Sequence, residues 1–200
     1  MTVTPDDYRW RTIVPVRLRD LAGLGGRRRA NARARGRVEN IPGLTEAEYL
    51  RIEMISLAGE YAVWTEENPC HWNRYEDGDL RGLPDIEAPL KTREHKLDVK
   101  TNKCEYPTNF LMIPLAVDIG VCKSWFYVAC FIAWIDGKWP RVCMMGWCRG
   151  EEAMQRRFKK QQGEFPVPIG GRPAYCVPVT DPVIKPMCDL RVLIHGRARS

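Results

Sequence analysis

The sequence predicts an α/β (α+β) fold, a mixed β-sheet flanked by helices, and three observations carry that expectation. A helix signature over 45–65 precedes a group of strand-like segments between 85 and 147, and a second helical pattern follows them, an order that suits helices layered on one sheet. The last two strand-like segments are joined by Asp136-Gly137, a short hairpin signal that excludes a purely parallel sheet. Finally, 200 residues of which 44% are hydrophobic are enough to bury one core of ordinary size.

Taken in order, the chain begins with a segment, 1–22, whose apolar positions Trp10, Ile13, Val14, Val16, Leu18 and Leu21 suit docking on a body. Residues 23–40 are rich in Gly and Arg and read as a mobile or ligand-ordered arm. The chain is thus divided into a basic N-terminal arm, 1–40, and a domain, 41–200. Thr45 and Glu48 form a capping-box pattern that opens a helix. Leu50, Met54, Leu57, Tyr61 and Trp64 then recur at helical spacing, carrying it to about Thr65.

A polar, turn-rich stretch over 66–83 leads to a short strand near Asp85 and a charged turn. In the next strand Leu97, Val99 and Thr101 alternate with Asp98 and Lys100, which places the two sets on opposite faces. Further strands are expected over 110–118, 125–135 and 141–147. A basic amphipathic helix is expected over 151–162, with Ala153, Met154 and Phe158 inward. The proline-rich remainder from Gly163 reads as extended chain wrapped on the body.

The formal net charge is +6, and its distribution is uneven. Residues 1–40 hold ten arginines and four acids, so that 41–200 sum to zero. Arg27, Arg28, Arg29, Arg33, Arg35 and Arg37 are concentrated in the arm; guanidinium groups fit phosphate bidentately, which points to a nucleic-acid contact. The chain holds eight cysteines and no Cys-x-x-Cys pair. Several lie in apolar runs, as buried free thiols do, and neither a disulfide frame nor a zinc site is expected. No apolar stretch is long enough to cross a bilayer and the N-terminus lacks a signal-peptide pattern, so a cytoplasmic, intracellular protein without a membrane partner is expected.

His71, His95 and His195 fall in no arrangement that would activate a nucleophile or hold zinc, and no Gly-rich phosphate loop is present. Trp72 and Trp139, in turn-rich surroundings, are candidates for stacking on a base. The remaining chemistry lies at Asp85, Asp98 and Lys100. Pro84-Asp85, followed after twelve residues by Asp98-Val99-Lys100, resembles the motif of the PD-(D/E)XK nuclease superfamily, and the order of elements is similar to that of small phage-encoded members. The resemblance covers roughly 45–162. It implies a restriction-endonuclease-like core in a nuclease domain, a metal-dependent hydrolase of DNA phosphodiester bonds, Mg²⁺ or Mn²⁺ as cofactor and DNA as partner.

It also implies the site. Asp85, Asp98 and the Val99 carbonyl would hold the cation, joined by Glu60 from the preceding helix, and Lys100 would act beside them. A hard cation that takes one or two carboxylates and keeps waters suits this set. Lys100, two residues after Asp98, shares its strand face and is placed to orient a water or offset developing negative charge. Asp79 and Glu87 are alternatives to Asp85, and Glu53 to Glu60. A downstream glutamine, Gln161 or Gln162, and the polar pair Thr101 and Asn102 are weaker candidates. The competing reading is a non-catalytic nucleic-acid-binding or virion-associated protein with the same fold. A homo-oligomer is compatible with either.

Overall fold

The computed structural model describes residues 2–34, 44–67, 71–72, 85–89, 94–103, 110–115, 123–133, 140–167 and 172–195. Four α-helices and two sheets are found among them. The helices are α1 (Pro15–Ala34), α2 (Glu46–Glu67), α3 (Gly150–Ala153) and α4 (Met187–His195). The strands are β1 (Arg9–Thr12), β2 (His71–Trp72), β3 (Ile86–Pro89), β4 (Glu94–Lys103), β5 (Phe110–Pro114), β6 (Phe126–Ala133), β7 (Arg141–Arg149), β8 (Lys159–Lys160) and β9 (Ala174–Pro178).

The larger sheet runs β1-β7-β6-β4-β3-β2. Only β4 and β6 pair in parallel, and every other neighbour pair in it is antiparallel, so the sheet is mixed. Its two faces have different partners. Leu97, Val99, Val128, Cys130, Val142 and Met144 share a core with Leu57, Ala58 and Val63 of α2, Leu21 and Leu24 of α1, and Met187, Leu190 and Ile194 of α4. Tyr127, Ala129, Cys143 and Met145, the alternate residues of β6 and β7, face the smaller sheet, ordered β5-β9-β8, through Leu111, Ile113 and Val177. The helices α1, α2 and α4 therefore cover one face and a second sheet, which the sequence reading of a sheet flanked by helices did not include, covers the other. The expected strand over 110–118 belongs, in its described part, to that second sheet.

The capping box at α2 forms as the sequence predicts: Glu48 N–H donates to Thr45 Oγ1 at 3.3 Å, and Thr45 N–H donates back to the Glu48 carboxylate at 2.7 Å. Helix α2 is buried more widely than its expected stripe, through Ile55, Leu57, Ala58, Ala62 and Val63. One glycine lets it sit low on the sheet. A Cβ at Gly59 would lie 1.8 Å from Thr101 Oγ1 of β4, so only a hydrogen fits between helix and strand at this point.

Three expectations are corrected. The Gly/Arg segment read as an arm is helical as far as Ala34, because Leu21 and Leu24 bury against α2 and Gly25 brings the two helices close; a Cβ there would stand 3.4 Å from Glu53 Cβ. The helix expected over 151–162 stops at Ala153. Phe158 is drawn into the core beneath the second sheet, and Lys159 and Lys160 pair with Tyr175 and Ala174, so ladder hydrogen bonds replace helical ones. The C-terminal stretch is not all extended: it supplies β9 and the helix α4.

Cys130, Cys143, Cys148 and Cys176 are buried thiols, and Cys188 is an exposed one. Burial pushes the Cys148 thiol up to about 12, which keeps it inert near neutrality. Cys70, Cys104, Cys122 and the 136–137 turn lie outside the described residues. Among the described residues no helix is long and apolar enough to cross a membrane.

Candidate active site

The pairing of β3 with β4 ends at Ile86 opposite Leu97. Two residues further along β4, the Val99 N–H donates instead to Asp85 Oδ2 at 2.7 Å. The Asp85 side chain thus continues the ladder where the strand has stopped, and it stands at the seam between the two faces of the sheet. On the face toward the second sheet lie Asp98 and Lys100, opposite Tyr127 and Ala129 of β6. Lys100 Nζ donates to Asp98 Oδ1 at 2.6 Å, with both side chains largely buried. On the face toward α2 lies Glu60, the one charged residue among the described ones that is fully buried.

Asp85 responds to all of them. Burial, then the negative charges of Glu60 and Asp98, hold its pKa well above the usual carboxylate range, with Lys100 pulling the other way. Its contact with Asp98 acts in the same upward sense. For Lys100, burial alone would lower the pKa, but Asp98 and Asp85 outweigh it and the ammonium is held charged. Two neighbouring carboxyl groups, one of them held toward its protonated form by burial and the charges around it, are an oxygen donor set suited to a hard cation. Asp85 and Asp98 are the residues that could hold one. Among the described residues no group of three His, Cys, Asp or Glu side chains converges for that purpose.

Glu60 is why a third carboxylate is missing from the set. Arg28 of α1 grips both of its oxygens, Nη1 to Oε1 at 3.0 Å and Nη2 to Oε2 at 2.7 Å, with only 10% and 2% of the two side chains exposed. Trp72 Nε1 also donates to Oε2 at 3.0 Å, and Ser56 Oγ donates to Oε1 at 3.3 Å. This network was not visible in the sequence, since 32 residues separate Arg28 from Glu60 and no local pattern links them.

The other sequence candidates are dispersed. Arg28, expected to contact nucleic acid, is committed to Glu60. Arg29 pairs with Glu46 and covers the Tyr49 ring at 3.7 Å, and Arg33 pairs with the same Glu46. These contacts tie α1 to α2 and explain why the segment is no free arm. Arg27 is exposed on α1; Arg35 and Arg37 lie outside the described residues. Glu53 faces Gly25 of α1 and adds negative charge beside Arg28. Glu87 pairs with Lys96 in the β3–β4 register, and Asp79 lies outside the described residues.

Trp72 is no stacking platform. It is buried, stacked on Trp64 at 5.7 Å between ring centroids, with Tyr61 alongside. Asn102 Nδ2 donates to the Phe110 carbonyl at 2.7 Å, joining the sheets, and Gln161 and Gln162 are exposed in a turn. Trp139 lies outside the described residues. Comparison of the chain with protein-family models, characterised proteins and solved structures gave no match.

Proposed function

We propose that this protein is a metal-dependent nuclease, a phosphodiester hydrolase acting on DNA, with its centre at Asp85, Asp98 and Lys100. The observation that carries the reading is the meeting of Asp85 and Asp98 where the β3–β4 pairing ends, with the Val99 N–H on Asp85 at 2.7 Å and the Lys100 ammonium 2.6 Å from Asp98. The mixed sheet with α2 against it agrees with the restriction-endonuclease-like core that the Pro84-Asp85 and Asp98-Val99-Lys100 spacing implies, although the second sheet departs from it.

In this reading Asp85 and Asp98 hold Mg²⁺ or Mn²⁺, with the Val99 carbonyl lying between Asp98 and Lys100 as a further oxygen. A divalent cation bound there would polarise the phosphate and lower the pKa of a water. Lys100, kept charged by its acidic neighbours, orients the attacking water or offsets charge on the phosphoryl oxygens. Asp85 would hold the cation as the carboxylate, with the Val99 N–H keeping it in register.

The test is cleavage of linear, supercoiled and single-stranded DNA, and of RNA, with Mg²⁺ and Mn²⁺. The wild type is expected to cut at least one DNA form in a strictly cation-dependent manner. Asp98→Ala and Lys100→Ala are expected to reduce cleavage by on the order of 10²-fold or more while leaving the circular dichroism spectrum unchanged. A wild type that cuts nothing with either cation removes the proposal.

A further inference from the structure

The Arg28–Glu60 pair joins an element read as a substrate-holding arm to the acidic cluster at the heart of the site. A stabilising role alone explains it poorly. Burying an ion pair costs each partner its hydration, and well-packed apolar residues often do as well. The position of the pair is more informative. Glu60 is bound by Trp72, whose strand partner Ile86 follows Asp85, and the adjacent Gly59 rests on Thr101, which follows Lys100, so the Glu60 charge acts on both Asp85 and Lys100. The Arg28 guanidinium acts on Glu60 first and then on Asp85. Arg28 is thus a resident cation of the cluster that a divalent metal would join. Its planar fork takes both Glu60 oxygens and so occupies that carboxylate.

The other groups around Glu60 reinforce this. Trp72 Nε1 and Ser56 Oγ hold the same two oxygens, and Arg29 and Arg33 fasten the C-terminal half of α1 to Glu46 at the start of α2. Glu53 adds negative charge beside Arg28 from the next turns of α2. Because Arg28 is carried by α1, a shift of that helix would withdraw the guanidinium from Glu60.

We propose that α1 gates the cation site: Arg28 competes with the divalent metal for Glu60, and displacement of α1 completes the set of carboxylates by releasing it. This rests on the reading of Asp85 and Asp98 as cation ligands, and it assigns regulation of that same site to a helix outside it. Like charges in this partly buried setting repel strongly, so removing the guanidinium charge is expected to tighten metal binding by roughly tenfold or more.

The experiment is Mn²⁺ binding to the full chain, measured by electron paramagnetic resonance of the free ion, for the wild type and for Arg28→Gln, which removes the charge and keeps a donor to Glu60. Tighter binding by the variant supports the gate. Equal or weaker binding by a folded variant overturns it while leaving the cation site standing, and no binding by either protein at millimolar Mn²⁺ overturns both. The wild type provides a second readout that needs no variant. If Mn²⁺ competes with Arg28, amide hydrogen exchange over α1 is expected to speed up when the metal is added. Unchanged exchange under saturating Mn²⁺ overturns the gate, and this holds even if Arg28→Gln fails to fold.

Discussion

Asp85 is subject to conflicting demands. Its carboxyl accepts the Val99 N–H, meets the negative charge of Asp98, and lies under the negative potential of Glu60. Because its pKa is raised, the folded protein binds that proton more tightly than the unfolded chain does. Its contribution to stability is therefore complete below the ordinary aspartate range and is lost as pH rises through the elevated one. Urea denaturation in chelator-containing buffer is expected to show stability falling with pH across that window. Asp85→Asn, which cannot ionise, should flatten the slope, and a variant with the wild-type slope would show that the proton sits elsewhere. Of this centre, the sequence made Asp85, Asp98 and Lys100 legible, because spacing two along a strand and a nearby Pro-Asp are local patterns. It could not reveal that Glu60 would be held by Arg28 and Trp72, because that depends on where two helices and a short strand dock.

The contact between α2 and β4 turns on a single missing methyl group. At Gly59 an added Cβ would meet Thr101 Oγ1 at 1.8 Å and Thr101 Cβ at 3.0 Å, and the Thr101 hydroxyl has no hydrogen-bond partner among the described residues. Gly59→Ala gains helix propensity but forces the helix off the strand that carries Asp98 and Lys100. It is expected to destabilise the fold by about 1–3 kcal/mol, the usual range for overpacking. Adding Thr101→Ala should recover part of that loss, and a double-mutant cycle showing simple additivity would mean the helix does not rest on Thr101. The helix α2 and the strands β4, β6 and β7 were legible because capping, period and apolar runs agree over many residues. By contrast, α1 was misread since its Gly and Arg content favours no helix by itself; burial of Leu21 and Leu24 and the pairing with Glu46 supply what propensity lacks. The strands β1, β8 and β9 are two to five residues long and exist through their partners' ladders, so they leave little trace of their own. Helix α4 did leave one, with Met187, Leu190 and Ile194 on one face just after Pro186, but the surrounding prolines hid it.

Two cores share one sheet, and the C-terminal third of the chain serves both. Strand β9 closes the second sheet, while α4 covers the helical face of the first beside Trp147, whose Nε1 donates to the Pro186 carbonyl at 3.0 Å. Leu190 is fully buried at this closure. Leu190→Ala is expected to cost about 2–5 kcal/mol in urea denaturation, the range for a cavity in a packed core. A loss well below that range would mean α4 is a loosely held appendage. Strand β1 places a comparable demand on the other end of the chain, since Arg9–Thr12 pair with 141–144 of β7. A nascent chain leaving the ribosome therefore carries its first strand unpaired until β7 has emerged, more than half the polypeptide later. Such distant closure is slow, because the entropy of a long loop is spent before any contact repays it. The N-terminal strand can therefore join the sheet only once β7 is available to receive it at the edge.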